Sequence, residues 1–132
     1  VKLVVYADGA SRGNPGPAAI GVSVVDTEGR EVAHISRLLG IATNNQAEYA
    51  AAIEGVRLAG RLGADAVELR VDSELLARQL EGRYRVRDAK LRQLYEELLR
   101  QLASFREWKV RHVPREANRR ADGLANAAFS RN

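Results

Sequence analysis

Asp8, Glu48, Asp72 and Asp122 lie in four separate parts of a 132-residue chain, each near a junction between an apolar run and a turn or helix. Gathered in one place, four carboxylates would repel one another and raise each other's pKa values. Such a cluster persists only around cations. Oxygen donors without cysteine, in a chain with two histidines, favour hard ions such as Mg²⁺ or Mn²⁺ over zinc. Two such ions roughly 3.5–4 Å apart would activate a water and stabilise a leaving oxygen, which suits phosphodiester hydrolysis. Three of the four acids also have a plainer explanation. Asp8 can cap a turn, Glu48 can complement a helix dipole, and Asp72 can cap the helix that follows it. These residues alone leave the convergence open.

The elements that must carry the acids follow from patterning. Leu3 to Ala7 is a β-branched apolar run, read as a strand buried on both faces, with Asp8 at its end. The Gly- and Pro-rich stretch to Pro17 marks a tight turn. Ala18 to Val25 and Glu31 to Leu39 read as two more strands. Asp26-Thr27-Glu28-Gly29-Arg30 between them has hairpin chemistry, giving an antiparallel meander. Thr43-Asn44-Asn45-Gln46 is a capping box opening a helix to about Leu62, largely buried through Ala47 to Ile53. Asn44 and Asn45 precede Glu48 by one turn and share its side, and the helix start offers free amides for a phosphate. Ala66 to Val71 is the next strand, running into Asp72, with a short helix to about Leu80. Asp88 to about Phe105 reads as an amphipathic helix, Trp108 to Val113 as a fifth strand, and Asn118 to Phe129 as a last helix carrying Asp122. The expected fold is α/β: a five-stranded mixed sheet, three antiparallel strands then two further strands, flanked by about four helices.

Composition narrows the partners. With 45% hydrophobic and 29% charged residues the chain reads as one globular domain over residues 1–132, long enough to bury roughly two-thirds of its unfolded surface. No apolar run approaches a membrane span, and the lack of cysteine fits a cytoplasmic location. A formal charge of +4 favours a polyanion. In the connector Arg83-Tyr84-Arg85-Val86-Arg87, three arginines suit a phosphate backbone and Tyr84 is free to stack. A solvated, charged linker is the alternative reading.

Four segments carry a resemblance: Tyr6-Ala7-Asp8-Gly9-Ala10-Ser11-Arg12-Gly13-Asn14-Pro15-Gly16-Pro17, Thr43-Asn44-Asn45-Gln46-Ala47-Glu48, Val71-Asp72-Ser73-Glu74-Leu75 and Asn118-Arg119-Arg120-Ala121-Asp122-Gly123-Leu124-Ala125. In order and spacing they resemble the signature blocks of type 1 ribonuclease H, in the short form without the basic handle insertion. The resemblance implies an RNase H-like fold and an endonuclease that cuts the RNA strand of an RNA–DNA hybrid, leaving 5′-phosphate and 3′-hydroxyl ends. It implies that Asp8, Glu48, Asp72 and Asp122 hold two Mg²⁺ ions, with Mn²⁺ as a substitute. Gly9, Asn14, Asn44 and Asn45 would contact the hybrid's minor groove, and Thr43 a DNA phosphate. Glu74 occupies a position where many members carry a base-contacting Gln. Arg83, Arg85 and Arg87 would carry hybrid affinity where the handle is missing, with Tyr84 beside them to stack. His112 matches the family's mobile histidine, with Arg115 as the alternative. A monomeric enzyme is expected. The rival readings are a non-catalytic hybrid-binding module and another nuclease of this fold, resolvase-like or transposase-like.

Overall fold

The computed structural model describes residues 1–131. Three strands, β1 (Lys2–Ser11), β2 (Gly16–Val25) and β3 (Glu31–Ala42), form the antiparallel meander. Helix α1 (Asn44–Arg61) leads to β4 (Ala66–Val71), and two helices, α2 (Glu74–Leu80) and α3 (Ala89–Ala103), lead to β5 (Glu107–His112). A 3₁₀ turn over Arg115–Asn118 runs into α4 (Arg119–Ser130). The sheet order is β3-β2-β1-β4-β5, with β4 parallel to both β1 and β5. Crossovers between parallel strands need helices, which is why α1 and then α2–α3 lie between them in sequence.

Residue alternation in the strands decides which face each helix covers. Leu3, Val5 and Ala7 of β1 join Val67, Leu69 and Val71 of β4 in the core with Tyr49, Ala52 and Val56 of α1. Helix α3 closes that layer from outside, burying Leu98 and Leu102. On the opposite face α4 packs over β1, β2 and β3 through Ala121, Leu124, Ala125 and Ala128. Strand β3 is the sheet's edge, and Val32, Leu38, Leu39 and Ile41 on it are exposed.

Helix α4 is tied to the meander by Glu31, which accepts from Arg120 at 2.9 and 3.1 Å and from the Ser23 hydroxyl at 2.6 Å. The bonds from Arg120, then from Ser23, hold its carboxyl down at about 2. A depressed folded value means that this stabilisation is present above the ordinary value of 4.5 and lost as pH falls through about 2. Glu31→Gln should therefore cost about 0.5–1 kcal/mol near pH 7, a modest figure because the pair is partly solvated. Thermal melts across pH check it: the gap from the parent protein should close in acid.

Candidate metal centre

The site forms where the sheet splits. The parallel ladder between β1 and β4 ends at Tyr6 and Arg70, while β1 continues against β2 as far as Ser11. Asp8 thus lies inside β1 rather than at its end, because the hairpin ladder persists after the parallel partner has stopped. Its side chain is only 6% exposed. One residue past β4 comes Asp72. Capping of α2 does not occupy it, since Ser73 is the N-cap and its hydroxyl accepts from Leu76 N at 3.2 Å.

Two glycines beside Asp8 admit the helices that bring the other acids. A Cβ on Gly9 would lie 2.1 Å from the Ala47 carbonyl carbon and 2.5 Å from Glu48 N, so the first turn of α1 rests directly on β1. Gly9 N donates to Glu48 Oε1 at 2.8 Å. Gly21 stands opposite Asp8 in the ladder, and a Cβ there would lie 2.0 Å from Ala121 O of α4. The next residue is Asp122, whose carboxyl meets that of Asp8.

Asp8, Glu48 and Asp72 offer oxygens within 4.8 Å of one another. With Asp122 they line an open cleft of about 280 Å³, bordered by Gly9, Asn44 and Arg115. Burial pushes the Asp8 carboxyl far above its ordinary value, helped by the nearby carboxyls of Glu48, Asp122 and Asp72. Burial raises Glu48 as well, against the lowering influence of the Gly9 amide, Asp8 and Arg115. Protonation or a cation relieves this crowding. An all-carboxylate donor set fits a hard divalent ion.

The remaining sequence candidates are spread over several places around this cleft. Asn44 borders the carboxylate cleft, whereas Asn14, Thr43 and Asn45 line a neighbouring one with Gln46, Asp88 and Leu91. Asn14 Oδ1 accepts from Asn44 N at 3.0 Å and Asn44 Oδ1 from Ser11 N at 2.9 Å, which fixes the β1–β2 turn to the start of α1. The free helix amides expected from the sequence are mostly taken. The capping box itself uses Gln46 N, Ala47 N donates to Thr43 O, and Asn14 takes Asn44 N. Tyr84 and Arg85 line a third cleft with Arg92 and Tyr95. Glu74 is exposed on α2, 3.8 Å from Arg78. His112 sits at the exposed end of β5, opposite Val71 and outside the carboxylate cleft that Arg115 borders.

Asn118 is a residue whose role the sequence did not suggest. It precedes α4 instead of opening it, is 1% exposed, and donates from Nδ2 to Ala7 O at 3.0 Å. Its Oδ1 has no partner among the described residues. This bond fastens the approach to Asp122 onto the peptide just before Asp8. Its place one turn before an acid was visible, but its burial was not.

A mixed sheet that gathers acids from one strand, the end of a second and two helices, and no histidine or cysteine, around one cleft defines a carboxylate-centred α/β domain whose donor set fits a hard cation. A family model described as reverse transcriptase-like matches residues 6–128. A ribonuclease HI of Halobacterium salinarum is 48% identical over 128 residues, covering 97% of this chain and 64% of that protein. The crystal structure of RNase H1 from that archaeon superposes with a TM-score of 0.98 at 45% identity, over 100% of both chains. LC11-RNase H1, solved in complex with an RNA/DNA hybrid, gives 0.92 at 36% identity over 98% of this chain and 97% of that one. The chain belongs to the type 1 ribonuclease H family. It spans 64% of the Halobacterium protein's length and 36% of mycobacterial relatives that are 41% identical to it.

Proposed function

We propose that this domain, residues 1–132, hydrolyses the RNA strand of RNA–DNA hybrids, leaving 5′-phosphate and 3′-hydroxyl ends. The observation that carries the reading is the convergence of Asp8, Glu48, Asp72 and Asp122 on one cleft. These acids would hold two Mg²⁺ ions, or Mn²⁺ in their place. When bound, the ions supply an activated water and charge stabilisation on the leaving oxygen. Asp8 within β1 and Asp72 just past β4 provide the fixed part of the cradle, and Glu48 of α1 and Asp122 of α4 close it. Glu48 is steadied by the Gly9 amide, which orients its carboxylate towards the cleft.

Asn14, Asn44 and Asn45 lie exposed beside the acids and offer amide groups to a minor groove, where 2′-hydroxyls distinguish RNA from DNA. Thr43 faces the neighbouring cleft, suited to a phosphate of the DNA strand. Glu74 lies further along and Tyr84 and Arg85 further still, on the connector. The hybrid held by LC11-RNase H1 supports this choice of substrate. The reading extends to a monomer in the cytoplasm, in keeping with a chain free of cysteine. No helix among the described residues is long and apolar enough to cross a membrane.

Arg115 takes the loop role better than His112, because it borders the cleft and acts on Glu48. Arg115→Ala should lower kcat about tenfold or more, while His112→Ala stays within about threefold, a difference of at least about 0.7 kcal/mol at 1.36 kcal/mol per tenfold. Single-turnover assays of both variants check this. The reading as a whole is tested with a hybrid labelled on its RNA strand, with Mg²⁺, with Mn²⁺ and with chelator, beside single-stranded RNA, duplex DNA and a branched duplex. Cation-dependent cutting of the hybrid's RNA alone is expected. Binding without cutting, or preferential cutting of the branched duplex, would overturn it.

A further inference from the structure

The segment between α2 and α3 belongs to no helix or strand, yet it carries Tyr84 and Arg85. A chain without a ladder keeps its shape only through individual bonds. Arg83 N and Tyr84 N donate to Arg78 O at 2.9 and 3.3 Å, Arg92 Nη1 donates to Val86 O at 3.4 Å, and the bond to Arg85 itself comes from behind. Gln79, on α2 and 3% exposed, donates from Nε2 to Arg85 O at 3.1 Å. Its Oε1 accepts from the Tyr49 hydroxyl at 2.6 Å. Tyr49 is 1% exposed and follows Glu48 directly on α1. The amide has only one workable orientation, since Arg85 O can only accept. A buried chain of two hydrogen bonds therefore joins the helix carrying Glu48, the helix following Asp72, and the connector.

We propose that Gln79 is a positioning residue for substrate: through Arg85 O it sets where the Arg85 side chain meets the nucleic-acid backbone, relative to the carboxylate cleft. This rests on the hybrid-cleaving reading above. Neither Gln79 nor Tyr49 faces the clefts that substrate would occupy, so both act through the connector. Val86, buried beside it, anchors the same segment in the core, and Gln79 supplies the orientation that an apolar contact cannot.

The test uses Gln79→Met, which keeps side-chain length but removes both bonds, and Tyr49→Phe, which releases only the α1 end. Each is compared with Arg85→Ala and with the double variant Gln79→Met/Arg85→Ala. For Gln79→Met, KM for a hybrid should rise about tenfold with kcat within twofold, a change of about 1.4 kcal/mol. The dependence of log(kcat/KM) on log salt should flatten by about one, as for loss of one phosphate contact. The double variant should be no worse than Arg85→Ala. Tyr49→Phe should move KM in the same direction by less, and serves if Gln79→Met does not fold. Hydrogen exchange, which needs no substrate, should quicken at the connector amides in Gln79→Met. Unchanged KM and salt slope in a folded variant, or additive effects in the double variant, would overturn the proposal. No effect of Arg85→Ala would overturn it at its premise. A parent protein that cuts no hybrid would instead defeat the functional reading, and connector exchange would still report whether Gln79 sets the segment.

Discussion

Asp8→Asn should abolish hybrid cleavage and, in the absence of divalent cations, make the protein harder to melt. The loss follows from the position of Asp8 among the other acids: it is the buried member, and it lines one cleft with Glu48, Asp72 and Asp122. A fall in kcat of at least about 1,000-fold corresponds to about 4 kcal/mol of lost transition-state stabilisation. The gain has the opposite origin. Burial raises the Asp8 carboxyl above its ordinary value of 3.8, so the folded state holds a proton that the unfolded chain releases. Its contribution to stability is complete below that value and drains away as pH rises through neutrality. Asparagine cannot ionise and escapes the loss. Melts with chelator should show the variant several degrees above the parent at pH 8, the gap narrowing towards pH 5. Adding Mg²⁺ should raise the parent's melting temperature more than the variant's. A variant that melts lower at every pH, or cuts normally, would contradict this account.

Gly9→Ala should be nearly as damaging without touching any acid. The new methyl group would sit 2.2 Å from Ala47 O as well as against the Ala47 carbonyl carbon and Glu48 N. All three are backbone atoms, so no side chain can rotate away; strand and helix must separate. Overpacking of this kind costs roughly 3 kcal/mol or more when the backbone has to move. The same movement withdraws Glu48, and a displacement of about 1 Å at a reacting centre is enough for a hundredfold loss of rate. Gly60→Ala on α1 is the control: its Cβ would meet only Phe105 at 3.6 Å, and helix propensity favours alanine there. Thermal melts and initial rates of the two variants side by side should separate steric exclusion at Gly9 from a general sensitivity to glycine replacement. Normal stability and activity of Gly9→Ala would show that β1 and α1 do not approach as closely as described.

Much of this architecture was legible in the residues because its signals are local. The Thr43 capping box, the alternation of Ala66 to Val71 and the leucine stripe of α3 place their elements within a residue or two. What escaped depends on partners distant in the chain. The apolar run suggested that β1 ends near Asp8, because its extension to Ser11 rests on pairing with the small residues Ala18 and Ala19 and with Ile20. The helix amides looked available because the bond from Asn44 N to Asn14 crosses 30 residues. Asp72 reads as a helix cap on sequence alone, whereas Ser73 takes that place and Asp72 lines the cleft. His112 and Arg115 could not be separated by spacing. Strand pairing leaves His112 on the rim, and the turn after Pro114 brings Arg115 to the acids.

Helix α4 settles onto β1 and β2, and Asn118 reaches back 111 residues to Ala7. Contacts of such long sequence separation form late, because the chain must surrender loop entropy before they reward it. Until α4 docks, the cleft lacks Asp122. The fourth carboxylate therefore joins the cleft only when a contact across 111 residues closes.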